Sequence, residues 1–125
     1  MLTRNQLHDH SLSQTATRED FPFGPDVAVL KVMDKMFAIL PVNPPLTISL
    51  KCDPVLAKMQ RDTYPAVQPG YHLNKRHWNT VTIDGTIPDD EVLEMIVHSY
   101  DLVVKKMKKA DREIIASLKT EAQDE

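Results

Sequence analysis

The chain has 125 residues, of which 42% are hydrophobic and 26% charged, and its formal net charge is −3. This length suits one domain, and the composition is ordinary for a soluble globular protein. The slight acidity excludes a uniformly basic protein of the histone type, so any contact with nucleic acid requires a local basic patch. The single cysteine, Cys52, excludes both an internal disulfide framework and a zinc site built from paired thiolates.

Neither a secretory signal nor a membrane span is expected. The first eleven residues carry charged and imidazole side chains and no apolar run. The longest apolar runs, such as residues 36–42, have the length of a strand and are too short to cross a bilayer. We therefore expect a cytoplasmic protein that does not contact a membrane.

A capping box opens the chain. The Thr3 hydroxyl is followed three residues later by the Gln6 amide, which predicts a short helix over residues 3–13. Two prolines and a glycine then predict a loop. This loop contains Phe21 and Phe23, which we expect to cover the edge of a core, because a loop rarely exposes two aromatic side chains.

Three strands are predicted next. The apolar runs 27–33 and 36–41 are separated only by Asp34 and Lys35, which predicts a β-hairpin. The run 46–50 alternates apolar and polar residues, as a half-buried strand does. Consecutive strands joined by short turns indicate an antiparallel sheet.

A helix is predicted to begin with Asp53 as N-cap and Pro54 in the first turn, and to end before Pro65. Two further strands are expected over residues 67–71 and 78–83. The second of these is closed by an Asp-Gly pair.

The last part of the chain is predicted to be helical. Carboxylates at residues 89–91, followed by apolar residues at spacings of three and four up to Met107, predict a long amphipathic helix. A short helix over 111–118 follows. Residues 1–119 are expected to form a single domain and residues 120–125 a frayed tail. The expected fold is α+β and two-layered, of order α-β3-α-β2-α with a short extra C-terminal helix, and helices cover one face of an antiparallel sheet.

The positive charge is concentrated in one segment. Residues 51–79 carry a net charge of +3, with five Lys or Arg against two Asp, while the flanking segments are net negative. Residues 71–78 offer two cations, two imidazoles, an amide and an indole. Phosphate oxygens accept hydrogen bonds from such donors, and bases stack on aromatic rings. A structural role also fits, in which Trp78 lies in the core and His77 caps a turn.

Three segments closely resemble the MmcQ/YjbR family: His72 to Val81, Phe21 to Gly24, and Ser99-Tyr100. Shorter matches occur in the same order, so the resemblance covers about residues 3–107. It implies a small bacterial α+β fold, similar to secretion chaperones and also called CyaY-like, with the element order given above.

The resemblance also implies a function, because the family is described as double-wing DNA-binding, the wings being hairpins. We therefore predict a non-enzymatic protein that binds DNA. Arg76 occupies a variable position of the family motif. The candidate nucleic-acid-binding residues are Lys51, His72, Asn74, Lys75, Arg76, His77 and Trp78.

Catalysis has little support in the sequence. His72 and His77 have no third ligand at a metal-binding spacing, and no glycine-rich phosphate loop occurs. Cys52 precedes a helix N-terminus, which can activate a thiol, but its strand context favours a buried structural role. No cofactor, metal or catalytic residue is predicted.

A second function remains open, that of a chaperone-like module that binds a protein or peptide through the exposed sheet face and the hairpin. Met33 and Met36 flank the hairpin turn, and methionines suit adaptable surfaces, although they also fill gaps in cores. Four lysines within residues 105–109 complement the helix dipole. The DNA-binding prediction would gain if they lay beside Lys75 and Arg76. The oligomeric state is not predicted.

Overall fold

The structure is a computed structural model that describes residues 1–70 and 72–124. These residues form four helices and an antiparallel sheet of six strands in the order β1-β2-β3-β4-β6-β5, which confirms the predicted fold class. Among them, no helix combines the length and the apolar character that crossing a bilayer takes. The elements are α1 (Arg4–Leu12), β1 (Thr17–Asp20), β2 (Val27–Val32), β3 (Lys35–Pro41), β4 (Thr47–Lys51), α2 (Pro54–Thr63), β5 (Val67–Pro69), β6 (Trp78–Thr82), α3 (Asp89–Lys105) and α4 (Lys109–Asp124).

The main core lies between α3 and the middle of the sheet. α3 packs on β2, β3 and β4, α1 packs on α3 and β1, and α2 packs on β5 and β6. The rings of Phe37 and Tyr100 meet edge to face at a centroid distance of 5.6 Å. The Tyr100 hydroxyl donates to the carbonyl of Thr15 at 2.6 Å and so connects α3 to the segment after α1.

The sheet contains one strand more than the sequence predicted. β1 pairs with β2 from Thr17 opposite Val32 to Asp20 opposite Val29. It shows no apolar alternation because it is a polar edge strand, held by backbone pairing and by an ion pair of 2.8 Å between Asp20 and Lys31. Hydrophobic patterning cannot reveal such a strand.

The last helix is longer than predicted. It begins at Lys109 and continues to Asp124, through residues that we expected to fray, and Glu125 lies outside the described residues. Ile115 is 1% exposed in the main core, and the Lys119 ammonium lies 5.3 Å from the centre of the Tyr100 ring. These contacts hold the helix against the domain, and its Ala, Glu and Lys residues favour helix.

Of three local predictions, one holds in full and two hold with changes of detail. The Thr3–Gln6 capping box is present, with both reciprocal hydrogen bonds. Asp53 is the N-cap of α2, as predicted, but its side chain makes no capping hydrogen bond. The hairpin turn lies one residue earlier than expected, because Met33 adopts a φ of +53°.

The second face of the sheet carries a smaller cluster of Val29, Ile39 and Trp78, against which Leu73 packs. The loop before β2 does not bury its two phenylalanines at the edge of a core, although we expected it to. Phe21 is 43% exposed and Phe23 is 59% exposed, so the prediction that both rings are buried at a core edge is wrong.

Candidate nucleic-acid interface

Lys51 ends β4 at a point where several elements meet. It pairs with Trp78, the first residue of β6, because the two strands are antiparallel. The backbone N–H of the next residue, Cys52, donates to the carbonyl of His77 at 2.8 Å. The end of β4 is therefore joined to the end of the loop that carries most of the candidate residues.

A serine of α3 fixes this end of the sheet. β3 contains a bulge, because Leu30 pairs with Ala38 whereas Lys31 pairs with Met36. The Ser99 hydroxyl donates to the carbonyl of Phe37, the bulged residue, and accepts the Lys51 N–H at 2.8 Å. One buried side chain thus satisfies two backbone groups that the short β3–β4 ladder leaves unpaired.

The position of Ser99 explains why Lys106, the C-cap residue of α3, lies near Lys51. Lys106 follows Ser99 by seven residues, which is two helical turns or about 10.5 Å along the same side of the helix. Lys35, the first residue of β3, lies at the same end of the sheet. Three elements therefore bring three lysines together.

The electrostatics of Lys51 reflect this arrangement. Burial lowers the pKa of Lys51 below its ordinary value of 10.5, and the charges of Lys106 and Lys35 lower it further. In the part of the chain that the structure describes, none of these three lysines is in an ion pair. We call Lys35, Lys51 and Lys106 the basic cluster.

The loop between β5 and β6 is braced from within. The side-chain oxygen of Asn74 accepts the backbone N–H of Arg76. The backbone carbonyl of Asn74 accepts the N–H groups of both His77 and Trp78. The Lys75 ammonium donates to the carbonyl of Gly70 at 3.1 Å. Asn74 and Lys75 therefore shape the loop through these hydrogen bonds.

α2 supports the same loop from the other side. Arg61 donates to the carbonyl of Lys75 at 3.1 Å and to the side-chain oxygen of Asn79 at 2.9 Å. The Asn79 amide, 1% exposed, donates in turn to the carbonyl of Ala57 at 3.2 Å. Binding residues on this loop would consequently be held in a fixed position.

The remaining candidates differ in their accessibility. Arg76 is exposed, His77 is half-buried, and His72 is exposed with a φ of +57°. Trp78 is 8% exposed in the second cluster, so its indole supports the sheet and offers no open face for stacking. Tyr71, which belongs to the stretch singled out from the sequence, lies outside the described residues.

Sequence reasoning placed Lys51 in the site but missed two of its neighbours. Lys106 belongs to a lysine run that was interpreted as a complement to the helix dipole and linked to DNA binding only if it lay beside Lys75 and Arg76, and Lys35 was assigned to a turn. Besides burial, the charges of Lys106 and Lys35 are the ones that lower the pKa of Lys51. No spacing in the sequence signals this proximity, because it depends on the contact between Ser99 and Lys51, which are 48 residues apart.

Among the described residues, the cysteine and the histidines do not form a metal site, and the cysteine is buried. Burial, with a smaller effect of the Asp53 charge, raises the pKa of Cys52 to about 11. Within residues 1–70 and 72–124, no group of three or more His, Cys, Asp or Glu side chains is arranged to hold a metal ion. Cys52 itself is a buried free thiol.

Comparisons with known proteins agree with this fold. A family model described as YjbR matches residues 12–102. The uncharacterised protein YjbR of Escherichia coli K12 is 36% identical over 90 residues, which are 71% of this chain and 76% of YjbR. The uncharacterised protein YbdF of Escherichia coli O157:H7 is 34% identical over 93 residues, covering 74% of this chain and 76% of YbdF.

Solved structures show the same similarity. The crystal structure of the Deinococcus radiodurans protein DR2400, with a domain described as DUF419, superposes with a TM-score of 0.86 at 39% identity. The match covers 93% of this chain and 89% of DR2400. A crystal structure from Pseudomonas syringae gives a TM-score of 0.69 at 31% identity, covering 81% of this chain and 98% of that one.

The fold and the basic cluster define a small α+β protein with an open six-stranded sheet and a cationic end. The family match and the similarity to YjbR then make the assignment specific. The chain belongs to the YjbR family.

Proposed function

We propose that the protein binds DNA through the basic cluster, and that it does so as a binding protein without catalytic activity. The observation that carries this proposal is the convergence of Lys35, Lys51 and Lys106 at one end of the sheet, where none of the three has an acidic partner among the described residues. Such a cluster is unfavourable by itself, because burial and like charges both oppose the charged amine. A bound anion would relieve both effects, and perturbed lysines of this kind are typical of functional sites.

A nucleic-acid backbone suits the distribution of these charges. The exposed Arg76 lies on the braced loop that joins the end of β4, so positive charge extends beyond the three lysines. Lys35 begins β3 directly after the β2–β3 turn, at the tip of a hairpin. This position agrees with the wing that the resemblance to double-wing DNA-binding proteins implies.

The net charge of −3 limits how strongly the protein can bind. Phosphate contacts supply most non-specific affinity, and only a few cations are available here. We expect dissociation constants that are roughly micromolar or weaker at physiological salt.

Binding of a peptide by the hairpin methionines has less support. Met33 is half-buried against the main core, and Met36 is half-buried against the second cluster. Both side chains fill gaps in packed regions, so neither offers a free contact surface.

A titration of fluorescent duplex DNA at several salt concentrations tests the proposal. The variant Lys35→Ala/Lys106→Ala removes two cations of the basic cluster and should reduce the slope of log affinity against log salt by about two. The matched control is Lys58→Ala/Lys109→Ala, which removes two exposed lysines from ion pairs with residues four positions along their helices. Arg76→Ala tests whether the loop contributes to DNA binding, and it leaves the hydrogen bond from Lys75 to the Gly70 carbonyl in place.

Weaker binding by the cluster variant, together with unchanged binding by the control, is the expected result. Equal losses in both variants would mean that only the overall charge matters, and the assigned site would be wrong. Absence of binding to the wild-type protein at low salt would refute DNA binding, because electrostatic attraction is strongest there.

A further inference from the structure

A concave pocket of about 650 Å³ lies on the face of the sheet that carries the second cluster. Its floor includes Val27 of β2 and Ile39 of β3. Its rim comes from three loops, which contribute Phe23, Pro45 and Leu73. Pockets that bind small molecules commonly measure roughly 300–1,000 Å³, so this one has a suitable size.

The exposed ring of Phe23 belongs to the rim of this pocket. Phe23 is 59% exposed although it lines the pocket, and a ring left open to solvent has no stabilising role in the core. A planar ligand would cover its open face and gain from stacking between aromatic rings. Phe21, two residues earlier, is also exposed but does not line the pocket.

Hydroxyl groups line one side of the floor. Thr47 and Ser49 alternate along β4, and Thr80 of β6 is the residue paired with Ser49. The hydroxyl oxygens of Ser49 and Thr80 are 2.8 Å apart. A hydroxyl carries one donor and two acceptor sites, so the Thr47 and Ser49 hydroxyls of β4 can accept or donate a hydrogen bond to a ligand in an otherwise apolar site.

The described residues that line the pocket carry no formal charge. No Asp, Glu, Lys or Arg is among the described residues around the pocket, and the imidazole of His72 is the only titratable side chain there. A charged ligand would lose its hydration without gaining a counter-charge. The lining therefore favours a neutral ligand.

We propose that this pocket binds an uncharged aromatic molecule that carries a hydroxyl or amide group. The ring packs between Phe23 and the apolar floor, and the polar group bonds to the hydroxyls of β4. The basic cluster contributes nothing to the lining, so this proposal stands independently of DNA binding. A macromolecular partner fits less well, because loops enclose the pocket on several sides.

The experiment compares two probes that share a ring system and differ in charge. The neutral probe is 2-naphthol and the anionic probe is 2-naphthoate, both titrated at neutral pH into the ¹⁵N-labelled full chain and followed by amide shifts. We expect 2-naphthol to shift the amides of Thr47, Ser49 and Leu73 and to bind at least roughly tenfold more tightly than 2-naphthoate. Equal or tighter binding of 2-naphthoate, or no binding of either probe, would overturn the proposal.

Three variants locate the bound probe. Thr47→Phe places a ring in the pocket and should abolish binding, while Phe23→Ala removes part of the wall and should weaken binding by roughly tenfold. Phe21→Ala is the matched control and should bind 2-naphthol as the wild type does. Phe23 lies in an exposed loop, so its variant tests the site even if Thr47→Phe fails to fold. Binding that persists in Phe23→Ala and Thr47→Phe would show that the probe lies elsewhere and would refute the proposal.

Discussion

Gly70 lies directly against Trp78, at the point where the braced loop begins. A β-carbon at position 70 would lie 2.7 Å from the β-carbon of Trp78 and 3.1 Å from its carbonyl oxygen. The Gly70 N–H donates to that same carbonyl at 2.8 Å, so the backbones cannot separate without losing a hydrogen bond. Glycine is therefore required here by close approach to a rigid neighbour.

We predict that Gly70→Ala destabilises the protein by about 1–3 kcal/mol, the usual cost of forcing extra volume into a packed region. Urea unfolding measures the change. Gln68→Ala, at an exposed position of β5, is the control and should have little effect. A Gly70→Ala protein of wild-type stability would show that the loop can move away from Trp78.

Cys52 illustrates how burial decides reactivity. Its side chain is 4% exposed, and burial raises the pKa of its thiol to about 11. The thiolate is the reactive form, so a raised pKa and low exposure both protect the residue. Its place before a helix does not make it a nucleophile.

We predict that native Cys52 reacts with a disulfide reagent such as DTNB at pH 8 far more slowly than the same chain in denaturant. The difference should be at least roughly a hundredfold, because a shift of two pKa units alone lowers the thiolate fraction by that order. Rapid modification of the native protein would contradict the buried position.

At the scale of elements, α3 organises the sheet through one hydroxyl. Ser99 is fully buried and contacts the backbone of β3 at Phe37 and of β4 at Lys51. It thereby sets the distance between the two strands where their ladder ends. The position of Lys51 in the basic cluster depends on this contact.

We predict that Ser99→Ala costs about 1–3 kcal/mol, because it leaves the Phe37 carbonyl and the Lys51 N–H without a partner in a buried region. Thermal or urea unfolding would measure this loss. Ser117→Ala, on the exposed side of α4, should be nearly neutral. Equal stabilities of the two variants would mean that water replaces the Ser99 hydroxyl.

Elements with local signals were predictable from the sequence. The Thr3–Gln6 capping box and Pro54 both mark helix starts that the structure places where expected. β1 and the extended α4 were missed because non-local contacts hold them: pairing with β2 in the first case, and packing of Ile115 in the second. The same reason applies to the basic cluster, whose lysines are distant in sequence and meet only after the sheet and α3 have packed.

At the scale of the whole molecule, a net negative protein keeps a cationic end. Several other basic side chains are neutralised by carboxylates, as Lys31 is by Asp20, whereas no described carboxylate pairs with the basic cluster. Mutual repulsion within the cluster opposes folding. Added salt should reduce this repulsion between the lysines, because the Debye length falls to about 10 Å at 0.1 M ionic strength.

We predict that Lys51→Met makes the free protein more stable at low salt, by an amount within the roughly 0.2–1 kcal/mol that exposed charges usually contribute. Folding lowers the pKa of Lys51 below 10.5, so the unfolded chain binds this proton more tightly. The cost to the wild type is therefore fully present below the lowered pKa and is relieved as the pH rises toward 10.5. The difference in unfolding temperature between Lys51→Met and the wild type should therefore be smaller at alkaline pH than at neutral pH.

Lys51 also has a consequence for chemical modification. An amine with a lowered pKa carries more of its neutral form at a given pH, and only that form attacks acylating reagents. Brief treatment with an N-hydroxysuccinimide ester at mild pH should consequently acylate Lys51 ahead of Lys58, an exposed lysine whose partner is Asp62. The side chain that the fold makes costly to charge thus becomes a lysine that acylates more readily, and peptide mapping can read how far a bound polyanion shields it.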